Sequence, residues 1–178
     1  MATKFPIILI LAISWMTRSD ACSCVPESVI QGLCNADFVS LVVVRSRKPF
    51  GDFEITYIIE HKSIFLKNDQ FVKSSNTTLL KTANDPSTCG VVLDMQKTQD
   101  ENSYLLSGRV DEKGSWLHLG LCTSIAVPWR QLHAKDREFL EEGNLSKVCN
   151  APNLQTVESG LPPAQIFVGF RNLSRIRR

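Results

Sequence analysis

The sequence predicts a mainly β domain, a small barrel or sandwich with flanking helices, held by three disulfides. Three observations carry that expectation. Short runs rich in Val, Ile, Leu, Phe and Tyr recur between Gly, Asp, Asn and Ser clusters from residue 38 to residue 120, the pattern of short strands joined by turns. All six cysteines, Cys22, Cys24, Cys34, Cys89, Cys122 and Cys149, follow an apolar leader. An even set in a secreted chain reads as a disulfide framework, with fifteen pairings open. Helical spacing of apolar residues comes only after Cys122, where an amphipathic helix would pack on the sheet.

The leader runs Phe5-Pro-Ile-Ile-Leu-Ile-Leu-Ala-Ile-Ser-Trp-Met16 behind Lys4 and closes on Thr17-Arg-Ser-Asp-Ala21. A basic start, an apolar middle and a small residue at the end predict a signal peptide over 1–21, cut after Ala21. Cys22 would then be the first residue of a secreted, extracellular chain. The apolar run is too short for a transmembrane helix and no second one follows. A formal net charge of +2 on 178 residues gives no reason to invoke nucleic acid or bulk membrane attraction. A monomer is expected.

Residues 27–34 predict a short helix, weakened by Gly32. Phe38–Val44 is dominated by β-branched and large apolar residues and predicts a strand buried on both faces. Arg45–Asp52 is basic and turn-rich, the solvated rim of a hairpin. Phe53–Glu60 predicts a second strand with a bulge near its end, which Phe65 and Leu66 extend. Residues 67–88 carry turn residues and the sequon Asn76-Thr77-Thr78. Val91–Met95 and Ser103–Val110 predict further strands, the latter returning through a turn at Gly114 to Ser115–Gly120. The expected core is Val42, Val44, Ile55, Tyr57, Leu105, Val110, Trp116 and Leu119. Pro128–Gly143 predicts one helix with Trp129, Leu132, Phe139 and Leu140 on its apolar face and Gly143 as its stop. Asn150–Arg178 has no cysteine and is expected to be an extended tail with Ile166-Phe-Val168 as its docking segment.

Catalytic signatures are missing from the sequence. His61, His118 and His133 fit no zinc-ligand spacing, and neither a His-Glu-x-x-His motif, a glycine-rich phosphate loop nor a nucleophile elbow occurs. No enzyme and no cofactor of its own are expected. Chemistry concentrates at Cys22-Ser23-Cys24. A chain beginning at Cys22 carries a free α-amine beside a carbonyl oxygen, a bidentate metal chelate once it is held rigid. The same cysteines can also serve only as a staple for the N-terminus, and the two uses are compatible.

The residues resemble the tissue inhibitors of metalloproteinases. The resemblance runs from Cys22 to Cys149 and rests on Cys22-Ser-Cys-Val-Pro26, Cys34-Asn-Ala-Asp37, Ser87-Thr-Cys-Gly90, Leu106-Ser-Gly-Arg-Val110, Trp116-Leu-His118, Cys122, Val127-Pro-Trp129 and Cys149. It implies an OB-fold-like five-stranded β-barrel with flanking α-helices, a netrin-like module over 22–149 followed by the tail 150–178. It also implies the bridges Cys22 with Cys89, Cys24 with Cys122 and Cys34 with Cys149.

By that resemblance the chain inhibits secreted or membrane-anchored zinc metalloproteinases, of matrix or disintegrin type. The α-amine and carbonyl oxygen of Cys22 chelate the protease's zinc, and Ser23 enters the main specificity pocket. Cys24, Val25 and Pro26 fill successive subsites, while Ser87, Thr88 and Cys89 flank them. The two-domain members carry six further cysteines in a second domain, so this chain resembles an inhibitory domain standing alone. The competing expectation is a noninhibitory netrin-like module that binds extracellular matrix or a receptor. Asn76, Asn144 and Asn172 head three sequons and are candidate glycan acceptors.

Overall fold

The computed structural model describes Cys22, Cys24, residues 28–68, Phe71, and residues 77–95, 102–113 and 115–151. The leader, Gly114, most of the tail and the sequon residues Asn76 and Asn172 lie outside the described residues. The described part forms a closed five-stranded mixed β-barrel with helices packed against it.

Helix α1, Val29–Cys34, forms despite Gly32 because Ser28 caps it: the Ser28 hydroxyl accepts from Gln31 N–H, and the Gln31 side chain accepts from Ser28 N–H. This reciprocal capping box satisfies two of the first-turn donors. Strand β1, Phe38–Phe50, pairs antiparallel with β2, Glu54–Lys67. The expected basic connection over 45–52 is therefore mostly strand, and the turn is confined to 51–53. β1 runs on past its pairing with β4, and there Arg47 and Lys48 stay exposed while their backbones join the ladder with β2. The pairing skips Arg45 on β1 and Lys62 and Phe65 on β2. Each bulge re-aims the following side chains.

Strand β3, Thr77–Ala83, pairs antiparallel with β2 and parallel with β5, Trp116–His118. Strand β4, Ser103–Val110, pairs antiparallel with β5 on one edge and β1 on the other, which closes the ring β1-β2-β3-β5-β4. Short β6, Ala126–Pro128, adds to β4 beside β5. The expected strand at Val91–Met95 does not join the sheet. Val91 and Leu93 are instead buried in the barrel core, with Val91 N–H donating to Thr82 Oγ1 at 2.8 Å and Leu93 N–H to Tyr57 Oη at 3.1 Å.

The helix expected over 128–143 is two pieces, with a further helix after Gly143. A 3-10 turn at Trp129–Gln131 is followed by α2, Ala134–Glu141, and by α3, Asn144–Cys149. His133 caps α2, and Gly143, at φ +71°, ends it and starts α3. A positive φ is where glycine carries no Cβ penalty.

The alternation of β4 divides two cores. Tyr104 and Leu106 face the barrel interior with Phe38, Val42, Tyr57 and Leu80, whereas Leu105 faces outward beneath Leu33, Leu132, Leu140 and Leu145 of the helical layer. Of the expected core, Trp116 is the exception: it is only half-buried, on the outer face, with the Lys81 ammonium 3.6 Å from its ring centre. Lys81 also covers the Phe50 ring, a cation–π clamp at the turn end of the β1–β2 hairpin.

Three bridges tie the chain: Cys22–Cys89, Cys24–Cys122 and Cys34–Cys149, separated by 67, 98 and 115 residues. In the chain-entropy account each such loop contributes about 4–5 kcal/mol. Cys34 and Cys149 end α1 and α3, so the third bridge joins two helices of the outer core.

Candidate functional site

The site is built from an arm and a loop. The arm is represented by Cys22 and Cys24, half-buried and exposed respectively. Ser23, Val25 and Pro26 lie outside the described residues. Cys22 is bonded to Cys89 and Cys24 to Cys122. The two anchor points are themselves joined, because Leu121 N–H donates to Cys89 O at 2.9 Å. Two cysteines separated by one residue are thus fixed to two neighbouring backbone segments.

The loop after β3 carries Ser87, Thr88 and Cys89 on a 3-10 turn, Pro86–Thr88. Asp85 is its N-cap, its Oδ1 accepting from Ser87 N–H at 2.7 Å, and Pro86 stands at the first turn position, where a missing N–H costs nothing. The Ser87 hydroxyl first, and then the Ser87 N–H, hold the Asp85 carboxyl below its ordinary value. Ser87 and Thr88 are exposed, and Cys22 Sγ lies 3.8 Å from Ser87 O. Cys22, Cys24, Ser87, Thr88 and Cys89 therefore form one patch.

Two features make this turn rigid. Cys89 sits at φ +63°, a left-handed conformation that costs a side-chain-bearing residue about 1–2 kcal/mol. Gly90 is buried against β3, where a Cβ would overlap the carbonyl of Ala83. Asn84 then ties the loop to the β1–β2 turn, its N–H donating to Phe53 O at 2.9 Å and its Nδ2 to Asp52 O at 2.5 Å. Asp85 and Asn84 were not singled out as site residues in the sequence, although Asp-Pro-Ser is a recognisable cap-and-turn signal.

Other chemistry is sparse. Among the described residues no group of His, Cys, Asp and Glu is placed to hold a metal ion, and no helix is long and apolar enough to cross a membrane. His61 is buried and bonded to Ser40 Oγ, while His118 and His133 are exposed, His133 capping α2. Beside Cys122 lies a hollow of about 160 Å³ between α1 and residues 122–125, below the roughly 300 Å³ at which small-molecule sites begin. Ser87, Thr88 and Cys89 do not line this hollow, and Ser87 and Thr88 are exposed.

The sequence profile of the tissue inhibitor of metalloproteinase family matches residues 20–154. Metalloproteinase inhibitor 2 of Bos taurus is 31% identical over 141 residues, 74% of this chain and 60% of that protein. Metalloproteinase inhibitor 3 of Scyliorhinus torazame is 31% identical over 147 residues, 78% of this chain and 63% of that protein. Metalloproteinase inhibitor 4 of Mus musculus is 32% identical over 143 residues, 75% of this chain and 60% of that protein. The chain belongs to the tissue inhibitor of metalloproteinase family. It spans about 60% of the length of these relatives. The family is one of inhibitors, and the expectation of a chain without catalysis of its own rests on that membership.

Proposed function

We propose that this chain is a secreted inhibitor of zinc metalloendopeptidases, with 1–21 removed as a signal peptide, 22–149 as the inhibitory netrin-like domain and 150–178 as a tail. The α-amine and carbonyl oxygen of Cys22 chelate the target's catalytic zinc and displace the water that the metal activates for peptide hydrolysis. Ser23 enters the adjoining specificity pocket, Cys24, Val25 and Pro26 occupy the following subsites, and Ser87, Thr88 and Cys89 cover the other side of the cleft. The targets are matrix or disintegrin-type enzymes, secreted or membrane-anchored, and the zinc is theirs. The inhibitor acts as a monomer outside the cell, and its glycans, where present, sit on Asn76, Asn144 or Asn172.

One observation carries this reading. The arm is bonded at Cys22 and Cys24 to two backbone segments that are hydrogen-bonded to each other, beside an exposed and capped turn. A preordered ridge avoids much of the entropy cost of docking a loose peptide, the requirement for an inhibitor that binds tightly without being cleaved.

The test is titration of the oxidised protein, beginning at Cys22, against a panel of active zinc endopeptidases. Stoichiometric inhibition of at least one member is expected, and replacing Ser23 by Arg is expected to change which members bind. A homogeneous three-disulfide protein that inhibits none would move the assignment to the noninhibitory module that binds matrix or a receptor.

A further inference from the structure

We infer that Asp85 is the positioning residue of the ridge: it holds Ser87 and Thr88 at the height and angle set by the Cys22–Cys89 bridge. Its role in inhibition rests on the reading proposed above, whereas its role in holding the loop does not. Four backbone N–H groups, those of residues 87–90, have to find acceptors in this exposed turn, and Asp85 supplies three of them. Its carboxylate Oδ1 takes Ser87 N–H at 2.7 Å, and its carbonyl oxygen takes Thr88 N–H at 3.0 Å and Gly90 N–H at 3.1 Å. The fourth, Cys89 N–H, goes to Pro86 O at 3.1 Å.

The Thr88 hydroxyl also donates to Asp85 O, at 2.8 Å. Asp85 therefore gathers the turn onto itself, and the Thr88 hydroxyl points back into the protein rather than toward a partner. The consequence reaches the metal-binding end through covalent bonds. Cys89, held at φ +63° by the turn, carries the bridge to Cys22, and its carbonyl carries the hydrogen bond to Leu121 beside the second anchor. Loosening Asp85 would free the left-handed Cys89 to relax and would shift the flanking loop relative to the arm.

Aspartate and asparagine are near-equal N-caps because both offer a side-chain oxygen three bonds from Cα, whereas alanine offers none. The experiment compares wild type, Asp85→Asn and Asp85→Ala, each oxidised and beginning at Cys22, by amide hydrogen exchange and by inhibition constant. Asp85→Ala is expected to exchange at Ser87 about fivefold faster, the weight of one N-cap bond, and to inhibit about tenfold more weakly. Asp85→Asn is expected to restore both to within about twofold. The thermal midpoint is expected to fall by no more than a few degrees in Asp85→Ala, the weight of one cap, and to recover in Asp85→Asn.

Unchanged exchange at Ser87 in Asp85→Ala, or an Asp85→Asn as impaired as the alanine variant, would overturn the inference. So would faster exchange with undiminished inhibition. Should wild type inhibit no protease, the inhibitory reading fails by itself, and the exchange comparison alone decides whether Asp85 holds the loop.

Discussion

Gly90 shows how a single atom supports the proposed ridge. With no Cβ, the chain after Cys89 lies directly on the carbonyl of Ala83, which brings the flanking loop down onto β3. Gly90→Ala has to push backbone away from backbone, and we expect it to lose about 2–4 kcal/mol in denaturant unfolding. Asp136 is the opposite case, a residue whose removal should help. It is fully buried in the first turn of α2, and neither carboxylate oxygen has a hydrogen-bond partner among the described residues. Burial, opposed by nearby His133, pushes its carboxyl above the ordinary value.

The folded state thus keeps the Asp136 proton to higher pH than the unfolded chain does. Stability from this group falls as pH rises from the ordinary carboxylate range through the raised value, and then levels off. Asp136→Asn stays neutral throughout. It is expected to stabilise the protein by about 1–3 kcal/mol at pH 7, with the gain vanishing near pH 3, as read from thermal melts at both values. Equal midpoints at pH 7 would mean that the carboxylate is not held unpaired.

At the scale of elements, the helical layer and the ridge are separable. Leu145 of α3 is completely buried in the outer core, so Leu145→Ala should cost about 2–5 kcal/mol. Inhibition by the folded fraction should persist, because nothing in α3 belongs to the patch. Titration of active inhibitor against total folded protein checks this. These elements also mark what was legible in the sequence. β4 and the leading half of β1 stand out as apolar runs because each has one face in the barrel and the other under the helices.

β3 was missed because Thr77-Thr-Leu-Leu-Lys-Thr-Ala83 lacks clean alternation: Leu80 and Thr82 point inward, while Leu79 and Lys81 pack outside beside Trp116. Its parallel partner β5 lies far along the chain, so their pairing leaves no local signal in β3. Val91–Met95 fails in the other direction. It has the composition of a strand, but its donors go to Thr82 Oγ1 and Tyr57 Oη instead of a ladder. Helix boundaries after Cys122 shifted because Trp129 and Leu132 mimic helical spacing while lying in a 3-10 turn and its exit.

For the whole molecule, three long-range bridges and a closed barrel convert a short N-terminal arm into part of a fixed surface. The cysteine pairing came from the family resemblance, which implied the three bridges found; from the count of six alone, with fifteen connectivities open, it was not readable. Nor was the hydrogen bond from Leu121 to Cys89, which depends on two distant turns meeting. If the proposed zinc ligand is a neutral α-amine, protons compete with the metal. Inhibition should then weaken by up to about tenfold per pH unit below the amine pKa, which is roughly 7.7–8.0 when unperturbed. A pH series of inhibition constants with a protease of flat activity over that range checks it.

The central claim is that Cys22, as the first residue, binds the target's zinc, and one comparison tests it most directly. Inhibition constants are measured for the protein beginning at Cys22 and for the same protein extended by a single alanine, with both termini verified by sequencing. The extension removes the α-amine from the metal and adds bulk in the cleft, so the account predicts a loss of at least a thousandfold, roughly 4 kcal/mol. Equal inhibition by the two proteins would contradict chelation by Cys22 while leaving the barrel and its bridges untouched.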